Sequence, residues 1–123
     1  MATKRRRLRG YELRCVLTHY LFQRDRATVT ELIDMLDFDG FDVAGRPSKA
    51  VSDALRCEMA HGRVVRLRRA QYRFASMPRG TEHRIFQRAL ALREDAAAVS
   101  AADDEAFWNA MSDSAQRADL GEV

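Results

Sequence analysis

A chain of 123 residues suits one compact domain with a tail and leaves no room for the two full-sized domains of most larger enzymes. Hydrophobic residues make up 46% and charged residues 32%, a globular composition with enough apolar material for a small core beneath an ionic surface. The net charge of +3 hides a division: residues 1–80 carry 17 Lys and Arg against 9 Asp and Glu, whereas residues 81–123 carry 4 Arg against 9 acids. The body is thus +8 and the tail −5, which favours a polyanionic partner for the first and solvation or a protein partner for the second.

No apolar run approaches the roughly 18 residues of a membrane span, and the basic start is not followed by the apolar region of a signal peptide, so the expected compartment is the cytoplasm. Cys15 and Cys57 lack the paired spacing of a zinc site or redox motif and read as reduced packing residues.

Residues 1–10, with Lys4, Arg5, Arg6, Arg7 and Arg9, read as a disordered basic arm, because cations at the positive end of a following helix are unfavourable until a polyanion neutralises them. The arm either tracks phosphates or solubilises the chain. Leu13, Val16, Leu17, Tyr20 and Leu21 then recur at i, i+3, i+4, i+7 and i+8, which predicts an amphipathic helix over 11–23. After a connector at 25–27, Thr28 and Glu31 have capping-box spacing, with Thr30 as the alternative cap, and Leu32, Ile33 and Leu36 give the second helix its inward face. The stretch from Phe38 to Pro47 holds two glycines and a proline and reads as a loop pinned by Phe38, Phe41 or Val43.

A third helix is expected over 48–61, with Val51, Ala54, Leu55 and Met59 inward and Gly62 as its left-handed stop. Residues 64–67 and 72–75 form a hairpin, and alternation puts Val65, Leu67, Tyr72 and Phe74 inward, leaving Arg66, Arg73 and the tip pair Arg68 and Arg69 in solvent. Residues 77–98 read as a further helix striped by Ile85, Phe86, Ala89, Leu90 and Leu92, which either packs on the first helix or forms a homodimer. Residues 99–123 read as an acidic, largely flexible tail. Within it Phe107, Trp108 and Met111 form an apolar island suited to a protein partner or to docking on the chain's own domain.

Three runs carry a resemblance: the segment from Thr28 to Leu36, then Val51-Ser52-Asp53-Ala54-Leu55-Arg56, then Gly62-Arg63-Val64-Val65-Arg66 leading to Gln71-Tyr72-Arg73-Phe74. In order and type they resemble the winged helix-turn-helix DNA-binding superfamily of small bacterial and phage regulators, over residues 11–76. The resemblance implies a mainly α fold with a small β-hairpin (α+β), an added C-terminal helix and binding of double-stranded DNA. The ten residues from Phe38 to Pro47 depart from it, since a tight helix-turn-helix turn has roughly 3 to 4 residues.

On that reading the third helix enters the major groove with Lys49, Ser52, Asp53 and Arg56, which share its outward face. Arg56 suits a bidentate guanine contact, Ser52 a base or phosphate and Lys49 a phosphate. Asp53 either accepts from a cytosine or orients Lys49 or Arg56. The alternative is an ordinary solvated helix face. Arg66, Arg68, Arg69 and Arg73 suit a wing along the phosphate backbone, since 63–73 contains no acid.

No catalytic constellation is expected. His19, His61 and His83 have no nucleophile or paired carboxylate placed beside them by spacing. Asp37, Asp39 and Asp42 miss the glycine and closing glutamate positions of a calcium loop, and neither a metal nor a cofactor is expected.

Overall fold

The computed structural model describes residues 5–121, with side chains described for 5–112. It is mainly helical with little strand, as the α+β expectation has it. The first helix, α1, follows a short strand: β1 spans Arg6–Leu8 and α1 spans Tyr11–Arg24. Next come β2 (Arg26–Thr28), α2 (Val29–Phe38) and β3 (Phe41–Val43). Thr28 caps α2 with its side chain, and Glu31 returns a bond to the Thr28 backbone, so the capping box at 28–31 is realised. The chain continues with α3 (Pro47–Ala60), which has Pro47 in its first turn and is followed by Gly62 at φ 74, a conformation open to glycine at little cost. A hairpin of β4 (Val64–Arg68) and β5 (Gln71–Phe74) precedes α4, a single helix over Arg79–Gly121.

The core is built where the apolar stripes of the first three helices meet: Val16, Leu17 and Leu21 from α1, Leu32 from α2, Val51 and Leu55 from α3. A three-stranded antiparallel sheet in the order β2-β5-β4 closes it, with Ala27, Tyr72 and Val64 facing in. α4 lays Ile85, Ala89, Leu92 and Ala96 against this body, chiefly against α1.

Four sequence expectations change. Residues 1–10 are not a disordered arm throughout: from Arg5 onward the segment is ordered, β1 pairs in parallel with β3, and Leu8 is buried. Lys4 lies outside the described residues. The repulsion expected at the α1 N-terminus is removed because acids meet the arm's cations: Arg5 with Asp37 at 2.8 Å, Arg6 with Glu12 at 2.8 Å and Arg7 with Asp42 at 2.9 Å. Arg7 donates to Asp42 and thereby holds its carboxyl below the usual carboxylate range.

The loop at 38–47 contains β3, which Phe41 and Val43 anchor, whereas Phe38 ends α2 with 90% of its surface exposed. The hairpin register is the reverse of the alternation expected at 64–67. Val64 is the buried residue of β4, Val65 stands opposite Arg73 on the outer face with Leu67 exposed, and Arg66, expected on the face of Arg73, pairs instead with Tyr72 and is exposed on the edge strand. A shift of one residue exchanges the two faces of a strand, and a run of two valines allows either phase.

The boundary expected between 98 and 99 is absent, because α4 runs unbroken to Gly121 through a segment rich in strong helix formers. Packing, not helicity, ends there: Ala96 is the last buried residue of α4 among those described. Of the two uses the sequence leaves open for the stripe at 85–92, packing within the chain takes most of it. Ile85, Ala89 and Leu92 are buried against the body, Phe86 is half-buried with its ring 5.0 Å from His19 and 4.5 Å from Phe22, and Leu90 alone of the five is exposed.

Candidate nucleic-acid interface

α3 shows solvent a face that its inward stripe leaves polar. Lys49 and Arg56 have side chains 70% and 76% exposed, and Asp53 stands between them, 3.6 Å from the Lys49 ammonium and 3.5 Å from the Arg56 guanidinium. Asp53 therefore links two cations at i−4 and i+3, the orienting arrangement that the sequence left as one of two alternatives. Ser52 is half-buried and sits at the margin of this face.

The hairpin contributes Arg66, Arg68, Arg69 and Arg73, all exposed, and none forms an ion pair among the described residues. The Nε of Arg66 donates to the Arg68 carbonyl at 3.2 Å, which stiffens the edge strand before its turn. The turn is held from behind: the Val29 amide donates to the Ala70 carbonyl at 2.9 Å, so the tip is tied to the start of α2.

β2 adds a residue the sequence treated as part of a connector. Arg26 is the cross-strand partner of Arg73, whose other neighbour is Val65, so two guanidinium groups share one sheet face. Like charges facing one another across strands are destabilising, and Asp25, 3.7 Å from Arg26, offsets this only in part. A three-residue strand has too little pattern for its register to be read in advance. Arg63, just before the hairpin, turns inward and donates to both carboxylate oxygens of Glu58 at 3.2 Å.

Glu58 is the main residue that sequence reasoning missed. Its side chain is 1% exposed, and it receives Arg63, the Thr18 hydroxyl at 3.2 Å and, at 3.8 Å, the Arg14 guanidinium. It joins the end of α3 to α1 and to Arg63, the residue before β4, so the outward face of α3 is held at a fixed angle by a buried ionic cluster. The signal was slight: Glu58 lies three residues past Leu55, on the inner side of the helix, with Arg63 five residues on.

The arm arginines Arg5, Arg6 and Arg7 belong to the fold, as described, and their charge is largely compensated. Phe107, Trp108 and Met111 are 45%, 63% and 50% exposed on the part of α4 beyond its last buried residue, with Phe107 and Trp108 in edge contact at 5.8 Å. They lie apart from α3 and the hairpin in sequence, on a helix that packs chiefly against α1.

Among the described residues no three His, Cys, Asp or Glu side chains come together as a metal-binding group, and no helix is long and apolar enough to cross a membrane. His19 is buried in the seam between α1 and α4 with Nδ1 unpartnered; burial first, and the charge of Arg93 second, hold its pKa below the ordinary histidine value. No family model, curated protein or solved structure matches this chain.

Proposed function

We propose that the protein is a winged-helix, sequence-specific binder of double-stranded DNA, a small transcriptional regulator without enzymatic activity that works in the cytoplasm on the nucleoid. In this reading α3 lies in the major groove with Arg56 at a guanine edge and Lys49 on a phosphate, Asp53 aiming both. Arg66, Arg68, Arg69 and Arg73 run along the backbone as the wing, and Arg26 joins them through β2.

The order of elements from α1 to β5, with β2 added to the hairpin in one antiparallel sheet, supports the winged-helix assignment. The observation that carries the function is the contrast in compensation: the hairpin's arginines have no acid partner among the described residues, while the arm's arginines do. Like charges facing one another, as Arg26 and Arg73 do, are retained at a cost that Asp25 offsets only in part, and a polyanion removes it.

Fluorescence anisotropy with labelled duplex across a salt series tests the reading. Log K falls linearly with log salt if the cations replace counterions on phosphates, and a flat dependence discards it. Selection from random duplexes then tests specificity, with an enriched palindrome indicating a symmetric dimer. A second reading, a winged-helix adaptor for a protein partner, draws on the exposed Phe107, Trp108 and Met111. Under that reading a pull-down survives loss of the hairpin arginines and is lost in Trp108→Ala.

A further inference from the structure

Beside the outward face of α3 lies a cavity of about 600 Å³ that the nucleic-acid reading does not use. Its volume falls within the roughly 300 to 1,000 Å³ of small-molecule sites. The floor is apolar, made by Leu8, Leu13, Val43 and Ala54, each already buried in the body. Two arginines, Arg9 and Arg14, belong to the lining, against one acid, Asp53. That acid is engaged on Lys49 and Arg56, and Glu58, 3.8 Å from Arg14, is shared with Arg63 at 3.2 Å, so the charge left to a ligand is positive and Arg9 carries most of it.

Arg9 is exposed and forms no ion pair among the described residues. Arg14 is fixed in place: it donates to the Cys57 sulfur at 2.7 Å, lies 3.8 Å from Glu58 and stacks over the Tyr11 ring at 5.4 Å. A positioned guanidinium loses little freedom when it takes a carboxylate, which favours binding there. A phosphodiester backbone gains nothing from an apolar floor, and a wholly apolar ligand leaves the cations unanswered. An amphipathic anion answers both.

We infer that this cavity binds a small organic acid with a compact apolar body, its carboxylate at Arg9 and Arg14 and its body on Leu8, Leu13, Val43 and Ala54. α3 forms one wall through Ala50, Asp53, Ala54 and Cys57, so an occupant touches the base-facing helix from its flank. The site stands on the cavity alone; only an effect of the occupant on DNA rests on the function proposed above.

The test is an amide NMR titration of the full chain with 1-naphthoate, alongside its uncharged analogue 1-naphthalenemethanol. The expected result is saturable shifts at the Gly10, Ala44, Ala54 and Cys57 amides, with the acid bound more tightly than the alcohol. Arg9→Gln should weaken the acid by about fivefold to tenfold, the scale of one charge-assisted contact, and leave the alcohol unchanged. Ala50→Leu, which fills the cavity, should remove both.

Shifts that do not saturate, shifts confined to other parts of the chain, or equal affinity for acid and alcohol overturn the assignment. Because Arg9→Gln alters an exposed side chain, it tests the charge requirement even if Ala50→Leu fails to fold. Duplex anisotropy on the same samples separates the two readings. Naphthoate binding without duplex binding removes the DNA function and leaves the cavity; duplex binding without naphthoate binding does the reverse.

Discussion

Two arginine-rich segments of this chain look alike as sequence and behave differently as structure. The arm places Arg5, Arg6 and Arg7 on or beside β1, and Asp37, Glu12 and Asp42 meet them at 2.8 to 2.9 Å. The hairpin places Arg66, Arg68, Arg69 and Arg73 on β4, β5 and their turn, with no ion pair among the described residues. A run of cations therefore marks a binding surface only after the acids that the fold brings to it have been counted. The acids that fail as a calcium loop, Asp37 and Asp42, are the arm's counter-charges.

The most severe way to break this contrast is to remove a buried counter-charge. Glu58→Ala leaves Arg63 and Arg14 without their carboxylate, while the Thr18 hydroxyl keeps the Arg14 carbonyl as its acceptor at 2.7 Å. Breaking one side of a buried pair costs about 3–5 kcal/mol, a large part of a small domain's stability. Urea unfolding should show that loss, with Glu58→Gln falling between wild type and Glu58→Ala because its amide oxygen still accepts from Arg63. A cost below about 1 kcal/mol for Glu58→Ala, the range of exposed pairs, would mean that the cluster does not fix α3.

The contrast is sharpened by paired variants on the two segments. Arg68→Glu/Arg69→Glu should lower duplex affinity by about ten- to a hundredfold at low salt and reduce the log–log salt slope by about 2. Its unfolding midpoint should barely move, since exposed substitutions of this kind stay within about 0.5 kcal/mol. Arg5→Gln/Arg7→Gln should do the opposite, leaving the slope unchanged and costing about 0–1 kcal/mol per pair. Equal slopes for the two variants would erase the distinction between the segments.

How far the sequence could be read follows from the same bookkeeping of neighbours. The first three helices, the Thr28 cap and the Gly62 stop are legible because they depend on residues within one or two turns of each other. The outward face of α3 follows from its inward one. β1 and β3 are not legible, because each is three residues long and exists through pairing with the other across 35 positions of sequence, Arg7 with Asp42 among them. The hairpin phase fails for another reason: Val64 and Val65 are equivalent until the core selects one. The unbroken α4 shows that composition read as mobile can still be helical where alanine is abundant.

The seam of α1 and α4 offers a subtler test, a cation that forms only on acidification. Neutral His19 is buried beside Phe86, with Arg93 close enough to oppose its protonation and Asp39 favouring it more weakly. Its folded pKa lies below the unfolded value of about 6.5, so the unfolded chain binds the proton more readily. The stability it contributes is therefore complete above about pH 6.5 and is lost as pH falls from there toward the lower folded value. Unfolding free energy measured from pH 7.5 to 5 should decline in the wild type, and the decline should flatten in His19→Gln. An equal slope in both would assign the effect to other groups.

The smallest expected effect lies on α3. Asp53 draws Lys49 and Arg56 toward itself at 3.6 and 3.5 Å, both pairs well exposed. If it only compensates them, Asp53→Asn frees two cations and raises duplex affinity by a few-fold for every sequence alike, with a steeper salt dependence. If it aims Arg56 at one base, the same change raises affinity for unrelated duplexes but lowers the preference for the selected one, because an untethered guanidinium loses its bidentate geometry. The ratio of selected to unrelated affinity separates these outcomes where either affinity alone cannot. It also determines whether α3 resembles the arm, a cationic surface already answered by the chain's own acid, or the hairpin, one that still awaits its partner.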